Sequence, residues 1–327
     1  MKPRFLLVLF VGVLSIISCK ENAEIKDPIR LKGSVFGTTY SIIYYDVQTD
    51  FNNEINRLFD KVNNSLSTYI PTSDISKINK GEKGIKVDVY FKEVFAKSER
   101  IFKETDGYFD PTVGDLVNAW GFGPKKTLND LDSAKVKSLM QFVGFDKVTI
   151  ENDEVIKQFT ETYFDFNSIA KGYGIDVIAR FLESKGIKNY LVEIGGEIRT
   201  RGAKPEGNEW KVQLDNPNTD GSRSAFDYLT LKDESMASSG NYRKFRITDN
   251  GEKYVHTINP KTGYAKESNL LSASVIAQLD CADVDAYATA FMAMGLERTK
   301  EFLKKKPDLK VILIYADEKG ELQEYRN

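Results

Sequence analysis

The chain is organised around the stretch Asp165-Phe166-Asn167-Ser168-Ile169-Ala170-Lys171-Gly172-Tyr173-Gly174-Ile175-Asp176. Aromatic residues at and before its start predict the end of a strand, and these are Tyr163, Phe164 and Phe166. Apolar residues recur at helical spacing after it, and these are Ile175, Ile178, Ala179 and Leu182. Gly186 then predicts the end of the helix. The stretch therefore predicts a turn that connects a strand to a helix.

Glycines stand at the predicted start of this helix, where the first backbone N–H groups have no partner within the helix. Gly172 and Gly174 remove side-chain bulk there, and Lys171 adds a positive charge. One interpretation is a site for an anion such as a diphosphate, because helix N-termini attract negative charge. The other is an ordinary glycine-bearing turn, since short glycine patterns also occur by chance. The spacing alone leaves both interpretations open.

The first residues have the order of a bacterial export signal. Lys2 and Arg4 precede an apolar run over residues 5–17, which is short for a membrane span but suits a signal-peptide core. Ser18 followed by Cys19 resembles a lipobox, in which the cysteine becomes the lipid-modified first residue of the mature protein. The alternative is a plain secretory signal with an incidental cysteine. The lipobox interpretation predicts a lipoprotein on the periplasmic or exterior face of a bacterial membrane.

The composition limits which ligands and partners are expected. The net charge is −2 and no block of Lys and Arg stands out, which argues against nucleic-acid binding by bulk electrostatics. With Cys19 assigned to the signal, Cys281 has no partner for a disulfide, and a cysteine-based zinc site is excluded. The chain has a single histidine, so a catalytic metal would need oxygen ligands, which favours Mg²⁺ or Ca²⁺.

Hairpins outnumber strand–helix–strand units in the pattern, so the expected fold class is α+β, with mostly antiparallel sheets and flanking helices. A strand or hairpin is predicted over residues 31–45, and hairpins are predicted over 147–159, through Asp249-Asn250-Gly251, and around Lys319-Gly320. Asp50 is predicted to cap a helix, and further helices are predicted over 131–143 and 282–294, with a polar loop over 67–75. The expected organisation is a signal peptide over 1–18, a tether over 19–29 and one domain over 30–327.

Asp285 and Thr289 are four residues apart in a predicted helix, so their side chains lie one above the other. A carboxylate and a hydroxyl in that arrangement supply two oxygen ligands for a hard cation. The alternative is a solvated helix face, which is the usual setting of an Asp within a helix.

His256 follows a predicted strand and precedes the turn at Asn259-Pro260. A histidine in that place is often a hydrogen-bonded structural residue. It is also the one side chain type that titrates near neutrality without a large pKa shift, so it is the candidate general base if the protein is an enzyme.

Several ordered blocks resemble the signature blocks of the ApbE-type FAD:protein FMN transferases. The blocks are Phe36 to Tyr40, Ser67-Thr68-Tyr69, Phe109 to Gly114 with Trp120 to Gly123, Asp165 to Asp176, Gly195-Gly196-Glu197, Ser238 to Tyr242, His256 to Gly263, and Ala282 to Thr289. The match extends from about Gly33 to Gly295 and is more specific than any single motif.

The resemblance implies an ApbE-like flavin transferase fold and an Mg²⁺-dependent enzyme. Such an enzyme binds FAD, transfers the FMN half to a Thr or Ser hydroxyl of an acceptor protein, and releases AMP. The implied acceptor is a membrane redox subunit. Two alternatives are an FAD pyrophosphatase that gives FMN and AMP, and a non-catalytic lipoprotein that binds FAD.

The resemblance also implies roles for individual residues. His256 would lie near the reacting phosphate. The metal ligands would be Ala170 through its carbonyl, Asp285 and Thr289. The FAD site would be lined by Phe36, Tyr69, Asp110, Thr112, Asn167, Lys171 and Ile258.

Overall fold

The computed structural model describes residues 27–125, 131–218, 220, 222, 224–241, 245–247, 253–265 and 268–327. Its helices are α1 (Asn52–Leu66), α2 (Asp74–Asn79), α3 (Val89–Glu104), α4 (Gly114–Ala119), α5 (Ser133–Met140), α6 (Ala170–Ser184), α7 (Cys281–Met294) and α8 (Leu296–Leu303). Its strands are β1 (Ile29–Val35), β2 (Thr38–Tyr44), β3 (Val148–Glu151), β4 (Glu154–Lys157), β5 (Tyr190–Ile194), β6 (Glu197–Arg201), β7 (Trp210–Asp215), β8 (Ala225–Leu231), β9 (Ser235–Gly240), β10 (Phe245–Ile247), β11 (Lys253–Val255), β12 (Leu270–Ala277), β13 (Lys310–Ala316) and β14 (Leu322–Arg326).

The predicted signal peptide and Cys19 lie outside the described residues, as does most of the predicted tether. Among the helices of the described ranges, none combines the length and the apolar character needed to cross a membrane.

One large sheet forms the centre of the fold, with the strand order β1-β2-β5-β6-β9-β12-β13-β14. Every neighbouring pair in it is antiparallel. The predicted class, α+β with mostly antiparallel sheets and flanking helices, is confirmed. The predicted hairpins at 31–45, 147–159 and Lys319-Gly320 are also found, as β1–β2, β3–β4 and β13–β14.

The sheet is covered on both faces. One face carries the main core, which α1, α3, α6 and α7 complete. The β7–β8 hairpin covers part of the other face and contributes Val212, Leu214 and Leu231 to a second core cluster. Strand β12 lies between these layers and is buried at every position except Leu271. Its residues are therefore either apolar or, at Ser272 and Ser274, small, where a half-exposed strand would alternate.

The predicted strand end at Tyr163, Phe164 and Phe166 is wrong, and the structure shows why. The segment is extended, but its backbone pairing is limited to a single parallel bridge between Tyr163 and Val113 and a bond from Asp165 N to the Pro111 carbonyl. The side chain of Asn79 bonds the backbone of Phe164 in place of a neighbouring strand. Its Nδ2 donates to the Phe164 carbonyl, and its Oδ1 accepts from the Phe164 N–H, both at 2.8 Å. The buried backbone is thereby satisfied without a β-ladder.

Two local predictions also need correction. The predicted polar loop over 67–75 contains the start of α2, because Ser73 caps that helix by accepting a hydrogen bond from Ser76 N at 3.2 Å. Asp50 is not the N-cap of α1, because Phe51 occupies that position, but the Asp50 carboxylate accepts from Asn52 N, the first residue of the helix, at 2.7 Å. The turn Asp249-Asn250-Gly251 lies outside the described residues, although the flanking strands β10 and β11 do pair antiparallel.

Candidate functional site

A cavity of about 900 Å³ opens where the N-terminus of α6 meets α7, β9 and the loop after β11. Its size falls within the ~300–1,000 Å³ range typical of small-molecule sites. The structure brings almost all the proposed site residues to its wall. These are Phe36, Tyr69, Asp110, Asn167, Ala170, Lys171, His256, Ile258, Asp285 and Thr289.

Thr112 is the exception, because it lies behind Asp110 and does not line the cavity. Its hydroxyl donates to Asp110 Oδ1 at 2.6 Å and accepts from Gly144 N at 2.7 Å. Its own N–H also donates to Asp110 Oδ1, at 2.8 Å. Burial raises the pKa of Asp110 to about 6, against the hydrogen bonds from Thr112. Thr112 therefore orients Asp110, which is the residue that faces the ligand space.

The turn into α6 is built by local hydrogen bonds. Asp165 Oδ1 accepts from Asn167 N at 2.8 Å, and the Phe166 carbonyl accepts from Ala170 N at 2.8 Å. These bonds place Asn167, Ala170 and Lys171 together on the cavity wall. The turn therefore lies at the cavity, and whether it binds an anion stays a prediction.

Asp285 is almost completely buried on α7. Its Oδ2 accepts from Gly172 N at 3.1 Å and lies 3.8 Å from Lys171 Nζ. Burial raises the pKa of Asp285 to about 6, against the positive charge of Lys171. One turn later on the same helix, Thr289 Oγ1 lies 3.2 Å from Ser239 Oγ. Thus the solvated-face interpretation of Asp285 is wrong.

These donors fit a hard divalent cation. A carboxylate, a hydroxyl and a peptide carbonyl are the oxygen ligands that Mg²⁺ accepts in proteins. In the part of the chain that the structure describes, no group of three or more His, Cys, Asp and Glu side chains could hold a metal ion. A metal here would therefore depend on the mixed set of Asp285, Thr289 and the Ala170 carbonyl.

A reciprocal set of hydrogen bonds fixes α6 against α7. Asp176 on α6 accepts from Cys281 N at 2.8 Å and from Ala282 N at 2.9 Å, both at the start of α7. In the other direction, Asp285 on α7 accepts from Gly172 N on α6. Burial and the nearby Asp280 raise the pKa of Asp176 to about 6, although Arg199 opposes them. The two helices therefore hold Ala170 and Asp285 at a fixed separation.

Gly172 is required by this helix contact. A Cβ atom there would lie 2.6 Å from the Cys281 carbonyl carbon and 2.7 Å from Ala282 N, which are backbone atoms that cannot rotate away. We expect Gly172→Ala to lower the free energy of unfolding by about 1–3 kcal/mol, the usual cost of overpacking. Gly→Ala within a helix ordinarily stabilises by up to ~1 kcal/mol, so the expected sign is reversed. Denaturant unfolding of the variant and the wild type measures this difference in the free energy of unfolding.

Gly174→Ala is the matched control, because its Cβ would meet the ring of Phe36, a side chain that can move. This variant should lose less stability than Gly172→Ala. A Gly172→Ala protein as stable as the wild type would show that the helices can separate without cost.

His256 projects from the loop that follows β11, and other residues hold this loop in place. Asn241 Oδ1 accepts from the Thr257 hydroxyl at 2.8 Å, and Asn259 Nδ2 donates to the Ala293 carbonyl of α7 at 3.3 Å. The ring of Phe122 meets the imidazole edge-on, with ring centres 6.4 Å apart. The loop thus carries His256 to the same cavity as Asp285.

The glycine-aromatic segment around Trp120 packs on the loop that follows His256. Trp120 Nε1 donates to the Gly263 carbonyl at 2.9 Å, while Phe122 lines the cavity. The segment is therefore a structured loop, one of whose aromatic rings also faces the ligand space.

Glu197 and Ser239 are among the polar cavity residues that were given no individual role from the sequence. Glu197 Oε1 lies 2.8 Å from Lys171 Nζ. Burial lowers the pKa of Lys171, but the carboxylates of Asp285 and Glu197 outweigh it and hold the pKa above its usual value. The sequence did contain a signal for Glu197 and Ser239, because both lie in family blocks, Gly195-Gly196-Glu197 and Ser238 to Tyr242.

Comparison with known proteins gives consistent matches over most of the chain. The ApbE family profile matches residues 36–313. The FAD:protein FMN transferase of Haemophilus influenzae is 34% identical, over 94% of this chain and 91% of that protein. The transferase of the same description from Vibrio cholerae serotype O1 is 36% identical, over 89% of this chain and 88% of that protein.

Solved structures agree with these matches. The flavin transferase ApbE from Vibrio cholerae superposes with a TM-score of 0.81 at 33% identity, covering 92% of this chain and 97% of that one. The apo form of Pseudomonas stutzeri flavinyl transferase ApbE gives a TM-score of 0.82 at 26% identity, with 92% and 95% covered.

Proposed function

This chain belongs to the ApbE family, and from that membership we propose that it is an FAD:protein FMN transferase. In the proposed reaction, a Thr or Ser hydroxyl of an acceptor protein attacks the FMN phosphate of FAD, and AMP leaves. The proposal rests on one observation: a candidate base, a candidate metal site and the basic start of α6 line the same cavity.

The start of α6 suits the diphosphate of FAD. Lys171 offers a positive charge, and the dipole of the helix favours an anion at its N-terminus, although Ala170 N and Gly172 N already donate to Phe166 and Asp285. Asp285, Thr289 and the Ala170 carbonyl are the residues that would hold Mg²⁺. When bound, the ion would neutralise charge that develops on the phosphates. Phosphoryl transfer asks the protein mainly for such positioning and charge stabilisation.

His256 is the proposed general base. The acceptor oxygen forms a new bond to the FMN phosphorus while the bond from that phosphorus to the AMP phosphate oxygen breaks. The hydroxyl proton goes to the imidazole, and AMP leaves with the electron pair of the broken bond. The loop anchored by Thr257 and Asn259 holds the imidazole at the cavity wall.

Phe36 and Tyr69 supply aromatic surface on the cavity wall. Tyr69 is 57% exposed, so the face of its ring is available to a planar ligand in the cavity. The isoalloxazine and adenine rings of FAD are planar groups of that kind.

The test of this function is covalent modification of an acceptor. The full mature protein is incubated with FAD, Mg²⁺ and a candidate acceptor, such as a membrane redox subunit. Intact mass spectrometry then reads the acceptor. A mass gain equal to FMN minus water supports transfer. An unchanged acceptor mass with every candidate, despite FAD binding, would favour a non-catalytic flavin-binding lipoprotein.

The proposed location rests on Cys19 and the apolar run before it. We expect Cys19→Ser to prevent lipid attachment, so that the protein lacks the lipid mass that the wild type carries. Fractionation and intact mass of the exported protein measure this, with Cys281→Ser as the control that keeps the anchor. If Cys19→Ser stayed in the membrane fraction with an unchanged lipid mass, the proposed anchor would be withdrawn.

A further inference from the structure

Glu197 is the first residue of β6 and is 4% exposed, yet it is an ionisable side chain on the cavity wall. Its Oε1 makes the 2.8 Å contact with Lys171. Its Oε2 is buried without a hydrogen-bond partner among the described residues. A buried carboxylate oxygen without a donor destabilises a fold. Stability therefore does not explain why a glutamate stands here.

Lys171 lies between two buried carboxylates. Its Nζ is 2.8 Å from Glu197 Oε1, which is hydrogen-bond distance, and 3.8 Å from Asp285 Oδ2, where it forms a longer ion pair without a hydrogen bond. The same Asp285 is the carboxylate of the proposed metal site. A lysine in direct contact with Asp285 would compete with a divalent cation for its negative charge.

We propose that Glu197 is a positioning residue that holds the Lys171 ammonium away from Asp285, so that Asp285 keeps its charge for a divalent cation. This inference rests on the metal site of the proposed function. The ammonium of Lys171 and the two carboxylates of Glu197 and Asp285 together have a net charge of −1, which suits a divalent cation. Without the charge of Glu197, the same group is neutral and the ammonium has one remaining carboxylate partner.

Glu197→Gln tests the inference, because it keeps the shape of the side chain and removes its charge. We expect Mn²⁺, used as a probe ion, to bind this variant about 10–100-fold more weakly, the usual effect of changing a residue that supports a metal ligand. Isothermal titration of Mn²⁺ into the full mature protein without FAD measures the affinity. Asp285→Ala, which should lose this binding, identifies the titrated site.

A second substitution separates this role from general damage. Lys171→Met removes the competing ammonium, so the double variant Lys171→Met/Glu197→Gln should recover Mn²⁺ affinity to within about threefold of the single Lys171→Met variant. A merely structural Glu197 would leave the double variant as weak as Glu197→Gln. That result would overturn the inference, and so would a Glu197→Gln protein that binds Mn²⁺ as tightly as the wild type.

Glu93→Gln is the matched control. Glu93 also pairs with a cation of α6, since its carboxylate lies 2.7 Å from Arg180. It does not line the cavity, so its loss should leave Mn²⁺ affinity unchanged. The titration does not depend on turnover, and its pattern would stand even if no acceptor were ever modified. A wild-type protein that binds no Mn²⁺ would overturn the inference directly.

Discussion

Asp285→Ala is expected to abolish FMN transfer. The substitution removes the carboxylate of the proposed metal site, which is nearly completely buried and faces the cavity. Charge stabilisation by a metal is typically worth several kcal/mol, so the rate should fall by roughly 10³ or more. Steady-state transfer, measured at several Mg²⁺ concentrations, gives the rate. FAD binding, followed by flavin fluorescence, should persist because the aromatic part of the cavity is unchanged.

Asp283→Ala is the matched control for this experiment, because Asp283 is on the same helix and is also buried. Its carboxylate turns away from the cavity and lies 3.1 Å from Lys97 and 2.8 Å from Arg100. Its loss should lower stability while Mg²⁺-dependent transfer is retained. Full Mg²⁺-dependent transfer by Asp285→Ala would remove Asp285 from the metal site.

His256→Asn has the second largest expected effect. Loss of a general base typically reduces the rate by ~10²–10⁴, and we expect a reduction of that size in kcat. Because Asn retains hydrogen-bonding capacity and the loop is anchored elsewhere, folding and FAD affinity should change little. The measurements are kcat from initial rates, FAD affinity by fluorescence and the thermal unfolding midpoint.

Thr257→Val distinguishes a chemical role of His256 from a positional one. It removes the hydrogen bond to Asn241 that holds the loop but keeps the imidazole. If this variant lost as much kcat as His256→Asn, the effect would be attributed to loop position. A His256→Asn enzyme as fast as the wild type would withdraw the base assignment and leave the metal site standing.

Features that depend on neighbours in the sequence could be predicted well. The hairpins around Asn152-Asp153 and Lys319-Gly320 have local turn signals, and the structure contains both. Helix α7 is predicted over 282–294 and spans Cys281–Met294, and Gly295, at φ 77°, ends it as expected. In each of these elements, residues at the turn or at the helix end mark the boundary locally.

Features that depend on distant residues could not be predicted. Tyr163 to Phe166 looks like a strand, but its backbone makes only a single bridge to Val113, and Phe164 is bonded by the side chain of Asn79, 85 residues earlier. Likewise, only the folded chain shows that Asp176 bonds the start of α7, 105 residues after it. No local pattern encodes either contact, so tertiary structure overrides the local expectation.

The same distinction applies to the site. The family blocks identified residues that do gather on one cavity wall, but they did not separate Asp110, which faces the cavity, from Thr112, which lies behind it. Neither did they give a role to Glu197, whose contact with Lys171 depends on how β6 lies beside α6. Side chains that act on another side chain need the three-dimensional arrangement to be recognised.

The most direct test of the central claim is the ratio of AMP released to FMN covalently attached to the acceptor. The wild-type enzyme, FAD, Mg²⁺ and a modifiable acceptor are combined, and both products are quantified over time, with a parallel reaction that lacks the acceptor. Transfer predicts one AMP for each attached FMN and little AMP without the acceptor. AMP released equally fast without the acceptor would contradict transfer and identify the enzyme as an FAD pyrophosphatase.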